Sequence, residues 1–229
     1  MPFFFFDPTM VLLIPCILLA LYAQFRVKRA YDEFSQVPSQ SGMTGLEVAQ
    51  RLLRQNGIHD VQVEEVDGTL SDHYDPRAKV VRLSSNIYRG HHLAGLAVAA
   101  HEVGHAIQHA SGYFPLNLRH AFLPVANIGT MAAFPLFLVG MFFSTPLLMD
   151  VGIAFFAATV AFQVVTLPVE FNASSRAMAQ LVDGRYLAPQ EGQLARKVLN
   201  AAALTYVAAA ATSLMHLVRL LILRGSSDD

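Results

Sequence analysis

Four long runs almost free of charge limit what this chain can fold into: residues 9–25, 122–143, 147–167 and 201–223. A helix needs about 20 consecutive apolar residues to cross the hydrocarbon core of a bilayer, and each run is of that order. A soluble domain carries about a quarter charged residues. Here 14% are charged and 54% hydrophobic, too little polar surface to keep such runs in water. The deficit is local, because residues 26–92 are mixed and polar. A small integral membrane protein with one polar lobe is the class that fits. Net charge is −1 and no basic stripe occurs, which excludes an electrostatic nucleic-acid binder. Cys16 is the sole cysteine, so neither an internal disulfide nor a cysteine-based zinc ribbon is available.

The first run is followed at once by Arg26, Lys28 and Arg29. A cleaved leader would carry its positive charge before the apolar stretch and small residues after it, so this run reads as an uncleaved anchor with its basic end in the cytoplasm. Ser144-Thr145-Pro146 separates the second and third runs and predicts a tight transmembrane hairpin. The hairpin returns residues 169–199 to the side that holds residues 26–120, so both polar segments share one compartment. His216 and Arg219 interrupt the fourth run, whose depth they leave open.

Within the polar lobe, residues 44–56 place Leu46, Ala49, Leu52 and Leu53 on one helical face, and Gly57 follows as a C-terminal cap. Residues 61–66 and 79–84 are valine-rich and predict two short strands, with turn signals at Asp67-Gly68 and Asp75-Pro76 between them. Residues 91–110, dense in alanine and glycine, predict a buried helix whose histidines need an explanation.

That helix carries His101-Glu102-Val103-Gly104-His105, an HExxH pattern. Residues i and i+4 share a helical face, so both imidazoles can bind one Zn²⁺. Glu102 points to the neighbouring sector, where it can take a proton from water held in an open metal position. The extended HExxHxxGxxH form would need glycine at 108 and histidine at 111, but the chain has Gln108 and Ser111. The third ligand must come from elsewhere. Glu170 is the leading candidate, a carboxylate directly after an apolar run, where an unpaired charge is costly. His120 and Asp183 are weaker alternatives.

Several segments together resemble the YugP-like neutral zinc metallopeptidases of bacterial membranes. They are Ser71 to Arg77 (SDHYDPR), Lys79 to Ser84, Ala99 to Gln108 (AAHEVGHAIQ) and Glu170 to Ser174 (EFNAS). The resemblance extends over about residues 8–220 and implies zinc, a membrane location and peptidase activity. The chain is also distantly similar to membrane gluzincins such as the HtpX heat-shock protease and the CAAX prenyl protease. Those carry a Glu-x-x-x-Asp element in which the glutamate is the third zinc ligand, so the likeness implies that role for Glu170. Ser174 stands where the aspartate would be, and support for a zinc-bound histidine must come from it or from another residue.

His73 and Tyr74 are candidate donors to the oxyanion of a tetrahedral intermediate, or else parts of a local hydrogen-bonded turn with Asp72 and Asp75. Arg176 is read as a salt-bridge or lipid-headgroup contact before an electrostatic stabiliser. His109 is a supporting residue, and His91 and His92 cap the helix or face solvent. Strand 79–84 is read as either a substrate-pairing edge beside the metal helix or a purely structural edge.

The expected fold is a mostly α membrane protein (α+β), with about four transmembrane helices and a zincin-like catalytic lobe containing a small β-sheet. Its parts are an anchor (1–25), the catalytic lobe (26–120), a transmembrane hairpin (121–168), the third-ligand segment (169–200) and a C-terminal membrane helix with its tail (201–229). The expected function is zinc-dependent endopeptidase: His101, His105 and Glu170 bind Zn²⁺, Glu102 is the general base, and His73 and Tyr74 are further catalytic candidates. Substrates are peptides or membrane-protein segments at the bilayer of the cell inner membrane, with the site facing the cytoplasm. A homo-oligomer or membrane partner is compatible with the alanine-rich residues 201–211. The rival reading is a non-catalytic scaffold or adaptor with a structural zinc, which would require a closed four-ligand site.

Overall fold

A computed structural model describes residues 8–226, so the first residues of the anchor and the last three of the tail lie outside it. Among the described residues, seven α-helices and three strands make up the fold: α1 (Ile14–Phe34), α2 (Gly45–Gln55), β1 (Gln62–Val66), β2 (His73–Asp75), β3 (Val80–Ser84), α3 (Ser85–Arg89), α4 (Leu93–Ala110), α5 (Phe114–Phe142), α6 (Pro146–Asp183) and α7 (Pro189–Gly225). The chain divides into two compact units. Among the described residues, one comprises 8–23, 117–168 and 205–226; the other comprises 24–116 and 169–204. The divisions fall inside α1, α5, α6 and α7 and not in loops.

The first unit is apolar. It holds parts of four helices, Pro8–Phe34, Phe114–Phe142, Pro146–Asp183 and Pro189–Gly225, each long and apolar enough to cross a membrane. Phe137, Met149, Phe156, Val160 and Leu220 form its core. Met131, Phe143 and Leu147 are 79%, 68% and 70% exposed, and Ile17, Leu18, Leu21 and Ile128 are also exposed. So many exposed apolar side chains suit lipid better than water. Ala208 and Ala210 are buried within the chain. Pro124, Pro135 and Pro168 lie inside helices. Each removes a backbone donor, a substitution that membrane helices tolerate better than soluble ones. The protein is a mostly α membrane protein with a small sheet.

The second unit is built on α2, α4 and the sheet. Thr44 caps α2 in a capping box, accepting from the Glu47 N–H while the Glu47 carboxylate accepts from the Thr44 N–H. At the other end Asn56 is the cap, and Gly57 takes the left-handed conformation at φ +70°. The Ile58 and Gly57 N–H groups then donate to the carbonyls of Leu53 and Arg54, closing a Schellman motif. Val48, Ala49, Leu52 and Leu53 are buried against α4 and the sheet, whereas Leu46 is only half-buried.

The sheet has the order β1-β3-β2, with β1 parallel and β2 antiparallel to β3. The expected edge strand, residues 79–84, is therefore the central one, with both of its sides occupied. Its burial explains this placement: Val80, Val81 and Leu83 are all buried, and a strand covered on both faces belongs in the middle of a sheet. Substrate pairing along β3 is thereby overturned. The turn region before it contributes a third strand, β2. Arg82 is in register with both Glu64 and His73 and lies 3.4 Å from the Glu64 carboxylate and 3.1 Å from that of Asp75, tying the three strands together on one face.

Candidate metal centre

Helix α4 starts where the sequence allows a cap. His92 Nδ1 accepts from the Gly95 N–H at 2.9 Å, and its Nε2 lies 3.2 Å from the Asn86 carbonyl. Burial, supported by the neighbouring His91, lowers the His92 pKa against the opposing Asn86 hydrogen bond, keeping the ring in the neutral form that can accept. His91 stays exposed.

Farther along α4, Gly104 lets residues 169–183 of α6 come close. A Cβ on Gly104 would lie 2.7 Å from the Ala173 carbonyl oxygen. That approach brings the carboxylate of Glu170 to the two imidazoles. Glu170 Oε2 is 3.3 Å from His101 Nε2 and 3.5 Å from His105 Nε2. The donor atoms of the three residues lie within 4.8 Å of one another. Tetrahedral zinc with bonds of about 2.0–2.2 Å separates its ligand atoms by about 3.3–3.5 Å, which the two histidine-to-Glu170 separations match. Neither His120 nor Asp183 belongs to the group.

Both rings are held from behind. Ser174 Oγ lies 3.2 Å from His101 Nδ1, and Gln108 Oε1 lies 3.0 Å from His105 Nδ1. The Nε2 atoms are thus left facing Glu170. Burial lowers the His105 pKa, but the nearby Glu170 and Glu102 carboxylates outweigh it and raise the pKa. Glu102 is 8% exposed and receives no hydrogen bond or ion pair among the described residues.

The remaining candidates take other partners. Tyr74 OH is 2.8 Å from His109 Nδ1, and the phenol is pushed up to about 12 by burial and then by Asp60 and Asp75. His73 is exposed on β2, with Nδ1 2.8 Å from the Ser71 carbonyl and Nε2 3.3 Å from Arg82 Nη1. Asp72 accepts from the Ser84 N–H and hydroxyl; burial raises its pKa and these hydrogen bonds oppose the rise. Arg176 donates from Nε to Asn172 Oδ1 at 2.7 Å and stacks 5.8 Å over the Tyr113 ring. Sequence reasoning missed Gln108. The available signal was its position three residues after His105, on the same helical face.

Residues 9–225 match the family described as "Putative neutral zinc metallopeptidase". The Bacillus subtilis (strain 168) protein described as "Putative membrane protease YugP" is 49% identical over 213 residues, covering 92% of this chain and 95% of that protein. No solved structure matches the chain.

Proposed function

Because the chain belongs to this family of neutral zinc metallopeptidases, we propose that it is a membrane-embedded zinc-dependent endopeptidase of gluzincin type. In this reading His101, His105 and Glu170 hold the metal and Glu102 is the general base. The observation that carries it is the pair of Nε2-to-Glu170 separations of 3.3 and 3.5 Å, which match the edges of a zinc tetrahedron.

When bound, zinc would supply Lewis acidity toward a peptide carbonyl and toward a water molecule in its open position. The protein's part is positional and protonic. His101 and His105 turn their Nε2 atoms toward Glu170, whose carboxylate adds one negative charge there. Glu102, one residue from His101 and without a partner that would tie up its carboxylate, takes a proton from the attacking water and passes it to the leaving amine. A structural zinc would want four protein ligands. The group formed by the described residues has three, His101, His105 and Glu170, which supports an open position over a scaffold's closed site.

Peptides or membrane-protein segments are the substrate class that suits this reaction in a membrane protein. Arg26, Lys28 and Arg29, directly after the first apolar run, support an inner-membrane protein with its site on the cytoplasmic side.

The test is zinc content and casein-type peptide hydrolysis of purified wild type beside Glu102→Gln. The expected result is zinc in both proteins and hydrolysis only in the wild type. Equal hydrolysis by both would remove Glu102 as the base, and full zinc occupancy with no turnover in either would point to a structural metal.

A further inference from the structure

The hydrogen bonds behind His105 continue outward in one line, and donor-only or acceptor-only chemistry sets the sense of every link. Arg176 offers only N–H donors, so the Asn172 atom 2.7 Å from its Nε must be the amide oxygen. That oxygen is 3.0 Å from Gln108, and the Val169 carbonyl oxygen is 2.8 Å from the same Gln108 atom. Two acceptors face it, so it must be the amide nitrogen, with both hydrogens used. The other end of the Gln108 amide, 3.0 Å from His105 Nδ1, is then oxygen and can only accept. His105 Nδ1 must therefore carry a proton, which leaves the lone pair of the neutral ring on Nε2, the nitrogen facing Glu170. Gln108 is completely buried, and no water is needed to complete the line.

Resting on the metal-site reading above, we infer that Gln108 is a positioning residue that fixes the tautomer of His105, and that Arg176 sets the sense of the line from its outer end through Asn172. The two histidines differ in this respect. The Ser174 hydroxyl behind His101 can donate or accept and imposes no tautomer, whereas the line behind His105 permits one. A partner of this kind acts on metal affinity without touching the metal, because it orients the ring and raises the basicity of the ligating nitrogen.

The experiment is a double-mutant cycle on zinc affinity, measured by chelator competition with the full-length protein in detergent. Wild type, Gln108→Met, Arg176→Met and the double variant are compared, with Ser174→Ala added to Gln108→Met as a control. Gln108→Met is expected to weaken zinc about 10–100-fold, and Arg176→Met to weaken it less. The double variant should be no weaker than Gln108→Met alone, because the line is already cut. Ser174→Ala acts on the other ring and should multiply with Gln108→Met. Zinc bound by Gln108→Met as tightly as by wild type would overturn the inference, as would a double variant showing the product of the two single losses. If wild type binds no zinc, the metal site itself falls, a result distinct from either. Should Gln108→Met fail to fold, Asn172→Leu cuts the line one link farther out and closes the same cycle with Arg176→Met.

Discussion

Gly104 and Ala173 meet backbone to backbone: a Cβ on Gly104 would lie 2.7 Å from the Ala173 carbonyl oxygen and 3.2 Å from its Cα. Neither atom can swing aside as the end of a flexible side chain could. Gly104→Ala gains helix propensity of about 0.5–1 kcal/mol, but overpacking at such a contact costs about 1–3 kcal/mol. The clash wins. The variant should melt at a lower temperature and bind zinc more weakly, because Glu170 is carried by the displaced helix. An unchanged melting temperature in detergent, with and without zinc, would show that the helices separate freely.

Zinc removal should destabilise the wild type. A ligand that binds only the folded chain adds about 2.7 kcal/mol at a hundredfold excess over its Kd. Chelation should therefore lower the melting temperature and added zinc restore it. In Glu170→Gln the carboxylate charge is gone and this increment should shrink. An equal zinc response in both proteins would take Glu170 out of the ligand set.

The cap of α4 introduces an acid sensitivity. The folded His92 pKa is depressed below its unfolded value of about 6.5. The unfolded chain thus takes up a proton first as pH falls. The stability associated with neutral His92 is complete above about pH 6.5 and is lost as pH falls from there through the folded value. His92→Asn retains a capping acceptor that does not titrate. Melting curves of the zinc-free proteins should run closer together above pH 6.5 and diverge below it, the variant losing less. Parallel curves would mean that His92 titrates alike in both states.

Tyr74→Phe removes the phenol bound to His109. With its pKa pushed up to about 12, the hydroxyl stays protonated throughout the neutral range. The loss should be about 0.5–1.5 kcal/mol of stability, with zinc affinity unchanged and kcat lowered less than tenfold. A fall of a hundredfold or more at unchanged KM would instead give Tyr74 the oxyanion role.

Much of the architecture was legible because its signals are periodic or compositional. The apolar face of residues 44–56, the alanine-rich stretch 91–110 and the four uncharged runs correspond to α2, α4 and the candidate spans. Hydropathy marked the ends of the apolar runs but not the ends of their helices. Helix α6 continues from the apolar run through Pro168 to Asp183, because hydropathy changes where backbone hydrogen bonding need not. The three-residue strand β2 is too short to show a period and lies among turn residues. Strand order was hidden too: β1 pairs in parallel with β3 and not with β2, its neighbour in sequence, a non-local choice that no local pattern encodes. At the candidate site, the HExxH spacing and the cost of an unpaired carboxylate pointed to His101, His105 and Glu170, whose side chains lie within reach of one another. Gln108 escaped notice because an amide three residues beyond a histidine is unremarkable until Val169 and Asn172 come in from another helix.

The order of synthesis gives that separation a temporal meaning. A ribosome finishes α4, with both imidazoles in place, long before it adds Glu170. All of α5 and the apolar first part of α6 must be made in between. A nascent chain that has reached His105 but not Glu170 therefore carries two imidazoles and no Glu170 carboxylate. On the proposed reading the third ligand arrives only when α6 is made, and a chain ended between His105 and Glu170 is born without it.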